Sequence, residues 1–454
     1  MHPDEPVHLI QPRWIAPVTP SSPVLTDHAV AVRAGLIESI GPTRELAARF
    51  PAATVEALPG HLLIPGMVNA HSHAAMSLLR GAGDDLPLKR WLEERIWPLE
   101  QQLVSDEFVF DGSVLACREM LLGGITCFSD MYFFPEATAR AALVMGMRAV
   151  LGIVVFEFPS AYGSGPGDYL SKGLALRDEM RDQASLGFTL SPHAPYTNSD
   201  DSLRRIASLA AELQLPVATH LHETAAEIAE SVAKFGMRPI ERLDKLGLLG
   251  PEFIAIHGVH MSDEDIVRLA RVGASLVHCP HSNLKLACGI ARVGAMARHG
   301  INIAIGTDGA ASNNRLDLLG EGRLTALLAK AETGDASVFD AHRTLHALTR
   351  AGADALGLGD KIGSIEPGKQ ADLVAVDLSP LEYAPVYDPV ATLIYAGGRE
   401  AVTDAWIGGE RVVAGRQIIN SLSREAVGTV VGRSPLWHNR LGEFVSGCVG
   451  STFA

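Results

Sequence analysis

Eight short apolar runs, each followed by a stretch of helical periodicity, dominate the middle of this chain. They are Leu62–Ala70, Ile125–Phe128, Ala149–Phe156, Gly187–Ser191, Val217–Leu221, Phe253–Ile256, Ser275–Val277 and Ile301–Ile305. Between them lie amphipathic segments such as Asp200–Leu213, Ala225–Phe235, Asp263–Val272 and Leu318–Lys330. Alternating strand and helix patterns require a parallel sheet, and eight such units predict a (β/α)8 barrel, a TIM-like α/β fold with its chemistry at the C-terminal strand ends. A doubly wound open sheet is the competing arrangement, but no glycine-rich turn follows the first run to support it.

Strand texture flanks these units. His28–Arg33 and Leu36–Ser39 surround a turn at Ala34–Gly35. Gly363–Gln370 turns into a strand over Ala371–Asp377, and Thr403–Val413 reads as a hairpin around Gly408–Gly409. Residues 1–60 and 359–420 are therefore expected to form one small β-sandwich built from both chain ends, beside a catalytic barrel at 61–358. Residues 421–454 carry little pattern and read as a tail. Gly363-x-x-x-x-Gly368-Lys369 resembles a phosphate loop, yet it lacks the following Ser or Thr and opens a strand. Gly163-x-Gly165-x-Gly167 has the wrong spacing for a dinucleotide fingerprint.

Composition narrows the function classes. The chain has 454 residues, 38 basic against 52 acidic side chains, and so a net charge of −14. No basic run offsets that charge, which argues against nucleic-acid or anionic-membrane partners. The stretch Ala141–Phe156 is interrupted by Arg148 and falls short of the roughly 20 apolar residues a membrane span needs. No signal peptide is read at the N-terminus. The cysteines at 117, 127, 279, 288 and 448 are odd in number, widely spaced and free of C-x-x-C. They read as small buried hydrophobes of a cytoplasmic protein, not as a disulfide framework or zinc cluster.

The residues that carry chemistry stand where the barrel strands end. His71-Ser72-His73 follows the first run, and alternate residues of an extended backbone face one way, so both imidazoles can reach one ion. His220 ends the fifth run, His257 the sixth, and Asp308 the eighth. Histidines with one carboxylate suit Zn2+ or another divalent first-row ion, with a position left for water. An ion so held lowers the pKa of its water to about 7. Glu223 lies beyond the strand end and is better placed to shuttle protons than to ligate. His222 shares a face with His220 and competes as a ligand.

As a set, Pro65–His73, His220 with Glu223, His257, and Gly306–Asn314 resemble the amidohydrolase superfamily. Ser77–Gly81, Trp91-Leu92, Trp97–Glu100, Ser191–Tyr196 and Ser282–Leu286 make the chain similar, within it, to the 5-methylthioadenosine/S-adenosylhomocysteine deaminases. The resemblance spans about residues 8–415. It implies a (β/α)8 barrel with a β-sandwich, one catalytic zinc per chain, and hydrolytic loss of ammonia from a purine nucleoside. It implies His71, His73, His220 and Asp308 as metal ligands. Glu100, His193 and Glu223 fall on substrate-contacting positions and Trp91 on an aromatic one near the substrate. It further implies that Asp308 and His257 orient the water and accept its proton, while Glu223 protonates the adenine ring at N1.

Two features narrow the resemblance. Dinuclear relatives bridge their metals with a modified lysine at the fourth strand, and the only lysine between Lys89 and Lys234 is Lys172, so a mononuclear site is expected. Ile153–Ser171 contains no Arg or Lys, where some relatives place arginines against the distal part of the substrate. An uncharged 5′-methylthio group is therefore expected to be preferred over a homocysteine tail, unless Arg80, Lys89, Arg90 or Arg95 reaches it. The rivals are another hydrolysis on the same site (of a chlorotriazine, guanine or cytosine) and a silent barrel acting as a binding protein. The silent barrel would be expected to lack Glu223 or Asp308. A homo-oligomer is expected.

Overall fold

The computed structural model describes residues 5–19 and 23–449. Eight parallel strands form one sheet in sequential order: β1 Met67–Ser72, β2 Ile125–Asp130, β3 Arg148–Val155, β4 Leu186–Pro192, β5 Val217–Leu221, β6 Phe253–His257, β7 Ser275–His278 and β8 Asn302–Ile305. Every neighbouring pair is parallel, as right-handed βα crossovers require. The sheet curls until β8 meets β1. There the Asp308 N–H donates to His71 O at 3.1 Å and the Thr307 N–H to Asn69 Oδ1 at 2.9 Å. Gly306 permits that approach, because a Cβ there would lie 2.8 Å from His71 O. Val68, Val150, Ile254, Val277 and Ala304 fill the interior with packed apolar side chains, and Ala351 and Ala353 of helix Arg350–Ala355 join the same cluster.

The two chain ends make a second, mixed sheet of nine strands. Its long strand Thr54–Pro65 runs parallel to His8–Ile15 and antiparallel to Leu373–Asp377. The sheet folds over on itself. Val30, Val32 and Ile37 from one end share a core with Leu373, Ala375 and Trp406 from the other. The turns at Ala34–Gly35 and Gly408–Gly409 meet, so a Cβ on Gly35 would stand 2.6 Å from Gly408 O. The β-sandwich expected from both termini is this folded sheet.

The first apolar run is not one strand. Its Leu62–Pro65 portion closes the long strand of the terminal sheet, and β1 starts at Met67. Both pieces are buried on both faces, so no alternation in hydropathy marks the break. Gly66 does, because a Cβ there would sit 2.1 Å from Thr126 Oγ1.

The segment read as a patternless tail is the helix Ser421–Val449, with 450–454 outside the described residues. It packs on helices α1 Asp106–Leu122 and α2 Pro135–Met145. Gly428, Gly432 and Pro435 blur its periodicity. Its docking rests on Val430 and Trp437, both buried, and on Arg433 and Trp437 Nε1–H, which bond the fully buried carboxylate of Asp111. Cys117, Cys127, Cys279 and Cys288 are buried and unpaired, and Cys448 lies outside the described side chains. Among the described residues no helix is long and apolar enough to cross a membrane.

Candidate active site

The C-terminal ends of β1, β5, β6 and β8 converge on one point. The ring centroid of His71 lies 4.8 Å from that of His73, 5.0 Å from His220 and 6.0 Å from His257. Asp308 Oδ1 is 3.2 Å from His73 Nε2 and 3.5 Å from His71 Nε2. Two overlapping sets are compact enough to hold an ion, His71 with His220 and His257, and His71 with His73 and Asp308.

The surroundings select the chemical form of these groups. His73 Nδ1 faces Met131 O at 2.6 Å, and His220 Nδ1 faces His193 O at 2.8 Å. A carbonyl oxygen can only accept, so each Nδ1 carries a proton and each Nε2 points inward. Burial pulls His73 down, but Asp308 outweighs it and raises the imidazole to about 9, so a cation bound here takes the place of the proton on His73 Nε2. His257 Nδ1 is likewise tied to Asn283 Oδ1 at 2.8 Å. Burial, reinforced by the neighbouring imidazoles, drives His220 well below the ordinary histidine range. Burial brings His71 down to about 4, against the pull of Asp308. The Nε2 atoms of His71 and His220 stand 3.2 Å apart. Inward lone pairs held this close, beside a carboxylate, fit a divalent cation between them. Asp308 is braced from behind, its Oδ2 accepting from Ser282 Oγ at 2.6 Å and Ser312 Oγ at 3.0 Å. Burial acts to raise its pKa and is outweighed by His71 and His73, so the carboxyl is held well below its usual range.

The backbone is strained at these strand ends. His257 and Asp308 have φ of 73° and 59°, and His222, next to Glu223, has 55°. Left-handed conformations at non-glycine residues cost on the order of 1–3 kcal/mol each and concentrate at functional sites.

Above the cluster opens a cavity of about 660 Å3, lined by His73, Trp91, Glu100, His193, His220, Glu223, His257 and Asp308 among others. His71 lies beneath them, 1% exposed. Glu223 Oε1 approaches His257 Nε2 at 3.7 Å, and burial raises its carboxyl. His193 stacks on Phe156 at 4.7 Å. Glu100 sits on Trp97–Leu103, the last of three short helical segments that begin at Leu88 and include a π-turn at Leu92–Ile96, a backbone irregularity common at functional sites. Burial pushes its carboxyl up to about 7, against a 2.7 Å hydrogen bond donated by Tyr132 Oη.

The remaining wall is apolar, with Phe133, Phe156, Phe158, Trp97 and Leu286 prominent. Among the described residues no Arg or Lys lines it. Arg80 is engaged by Glu119 and Asn314 O, Arg90 by Glu94, and Lys89 extends toward Glu230 at 3.9 Å. Lys172 bonds Tyr162 O and Asp168 on helix Pro166–Glu179 and does not line the cavity.

His222 does not join the cluster. It points the other way, its Nε2 accepting from the Ile240 N–H at 3.2 Å and its Nδ1 3.4 Å from Asp265 Oδ2. The left-handed His222 breaks the strand geometry that would have aligned it with His220. Sequence reasoning passed over Tyr132 and Met131 O, and it quoted Ser282 and Ser312 only within the motifs of the resemblance, without their role as braces on Asp308. No spacing rule marks them, because they reach the site from β2 and the loops through space.

Residues 62–412 match the Amidohydrolase family. A 5-methylthioadenosine/S-adenosylhomocysteine deaminase of Teredinibacter turnerae is 45% identical over 429 residues, which is 94% of this chain and 96% of that protein. The crystal structure of an adenosine deaminase from Xanthomonas campestris with bound zinc has a TM-score of 0.94 at 46% identity, covering 97% of this chain and all (100%) of that one. An atrazine chlorohydrolase from Arthrobacter aurescens, complexed with zinc, shares the fold with a TM-score of 0.87 at 22% identity, over 94% of this chain and 100% of its own. With its eight-stranded barrel, its inward-facing imidazoles and carboxylate, and this match over most of its length, the chain belongs to the amidohydrolase family.

Proposed function

We propose that the protein is an adenine-nucleoside aminohydrolase working with one zinc ion, and that 5′-methylthioadenosine is its preferred substrate, giving 5′-methylthioinosine and ammonia. The observation that carries this reading is that one cavity has the histidine–aspartate cluster at its floor, Glu223 and Glu100 at its sides, and an apolar wall without a cation among the described residues. The likeness to deaminases of methylthioadenosine and adenosine agrees with it.

His71, His73, His220 and Asp308 are the residues assigned to hold the ion, a donor set of three imidazoles and a carboxylate that suits zinc. Bound there, zinc supplies the Lewis acidity that brings a water molecule's pKa toward neutrality. Asp308 and His257 hold that water against C6 of the adenine and accept its proton. Glu223, protonated at the outset, gives its proton to N1, which makes C6 electrophilic. The water oxygen bonds to C6, its remaining proton passes through the Glu223 carboxylate to the exocyclic nitrogen, and the bond from C6 to that nitrogen breaks to leave a C6 carbonyl and ammonia. The proton taken up by Asp308 and His257 then returns to Glu223 for the next turnover. Burial raises the Glu223 carboxyl, which favours this protonated start. Glu100 is assigned to the ribose hydroxyls, His193 to a sugar or base contact, and Trp91 to the wall beside them.

The 5′ end of the nucleoside meets apolar surface. A homocysteine tail would bring an α-carboxylate there without a partner, a cost of several kcal/mol if it is buried. The experiment is steady-state deamination, followed by loss of adenine absorbance, with 5′-methylthioadenosine, adenosine, S-adenosylhomocysteine, guanine and melamine. kcat/KM is expected to be highest for 5′-methylthioadenosine, with adenosine next and S-adenosylhomocysteine lower. A clear preference for S-adenosylhomocysteine would mean that a cation reaches the tail. The buried, unpaired cysteines agree with a cytoplasmic setting. Light scattering tests the homo-oligomer expected with it.

A further inference from the structure

The loop that presents Glu223 hangs on a second buried carboxylate with no part in the chemistry above. Glu227 is 7% exposed. Its Oε1 accepts from the His222 N–H at 3.1 Å and its Oε2 from the Glu223 N–H at 2.9 Å. Glu227 is the third residue of helix Ala225–Phe235, whose N-cap is Thr224. An acid at this position ordinarily closes a capping box by bonding the N-cap's own N–H. Here it reaches further back, past Thr224, to the two residues before it. The other groups of this stretch are also tied: Leu221 O accepts from Gly258, His222 O accepts from His260 at 2.9 Å, and the His222 ring is held by Ile240 and Asp265. The backbone of residues 221–223 is thereby held at Leu221 O, at both polar groups of His222 and at the Glu223 N–H, and the Glu223 carboxyl projects from it toward His257.

We propose that Glu227 is a positioning residue for proton transfer: by holding two consecutive N–H groups it sets where the Glu223 carboxyl meets the substrate. The inference rests on the proton-transfer role proposed for Glu223. A carboxylate suits the task because it offers one acceptor oxygen to each N–H. A glutamine in its place would turn an NH2 against one of them. Burial pushes the Glu227 carboxyl up to about 8, and the two N–H donors act against that, since both of its oxygens accept; a bare cap on the helix would need neither the second bond nor so deep a burial.

The test is a double-mutant cycle on the zinc-loaded protein with the fastest nucleoside of the panel, comparing wild type, Glu227→Gln, Glu223→Gln and the double variant. Glu227→Gln is expected to keep its metal content, hold KM within about threefold, and lose kcat by roughly 10- to 100-fold, as small misplacements of a reacting group do. In the Glu223→Gln background the same change is expected to cost less than about threefold, because the group it acts through is already disabled. An equal loss in both backgrounds, or a single variant within about threefold of wild-type kcat, overturns the inference. If Glu227→Gln does not fold, Glu227→Asp, which keeps the charge but withdraws it by one methylene, goes through the same cycle with the same two outcomes. A nearly fully active Glu223→Gln has a separate signature: it refutes the reading of Glu223, and this inference with it.

Discussion

Replacing Trp437 by alanine should detach the C-terminal helix and weaken the wall behind the substrate cavity. The indole is 2% exposed and meets Phe108 edge-on at 5.5 Å. Its Nε1–H donates to Asp111 Oδ2 at 2.9 Å, and Asp111 itself is fully buried on α1. Truncating a buried tryptophan costs about 3–5 kcal/mol. That range already contains most of an edge-to-face contact (~0.5–1.5 kcal/mol) and of a hydrogen bond to a charged acceptor (~1.5–3 kcal/mol), so these are not added to it. About 4 kcal/mol is a large share of the ~5–15 kcal/mol that separates folded from unfolded chains. Two observables follow. Urea unfolding should show a loss of about 3–5 kcal/mol, or, where the helix detaches on its own, limited proteolysis should cut near residue 420 well before global unfolding. Trp91, Leu99 and Leu103, around Glu100, share an apolar cluster with Trp437, so KM should rise with little change in kcat. Leu436→Ala, at a site 40% exposed, is the control and should stay within about 0.5 kcal/mol of wild type. A Trp437→Ala protein that loses less than about 1 kcal/mol, shows no new cleavage and keeps its KM would refute the docking argument.

Arg148→Ala should destabilise the protein by about 3–5 kcal/mol in the same urea experiment, because it strands the buried carboxylate of Asp372, which Arg148 grips at 2.6 and 3.0 Å between β3 and the terminal sheet. Elemental analysis of dialysed, active protein should find about one divalent ion per chain, and two tightly held ions that are both needed for activity would contradict the mononuclear reading. A chelator should abolish turnover while leaving the far-UV circular dichroism unchanged, since the barrel core does not depend on the ion. His220→Ala should lose the ion. Glu223→Gln should keep it while turnover falls by roughly 10²–10⁴-fold, and a metal-free Glu223→Gln would reassign that residue as a ligand.

Helices Asp200–Leu213, Ala225–Phe235 and Asp263–Val272 were legible from the sequence to the residue. The first and third bury one apolar stripe, with Leu203 and Ile206 and with Ile266 and Leu269, whereas the second buries Glu227 and Ser231. The terminal hairpins were legible through their turn residues. The break at Gly66 was not, because a strand buried on both faces has no period to interrupt. Nor was the helix Ser421–Val449, whose docking depends on a buried carboxylate on α1, some three hundred residues away in the chain. His71, His73, His220, Glu223, His257 and Asp308 were visible as a group because barrel topology brings successive strand ends to one rim.

What the sequence determined by itself was therefore the repeat of βα units and the residue types at their ends, both of which are local properties of the chain. Only the tertiary structure decided which way each side chain faces. His222 turns from the cluster through a left-handed φ, and Tyr132, just past the end of β2, meets Glu100 on the short helix Trp97–Leu103. The carbonyls of Met131 and His193 set the tautomers of His73 and His220, and Glu227 reaches back to the N–H groups of the Glu223 loop. These are contacts through space, made by groups whose separation along the chain carries no period, so they become readable only once the strands have closed around them.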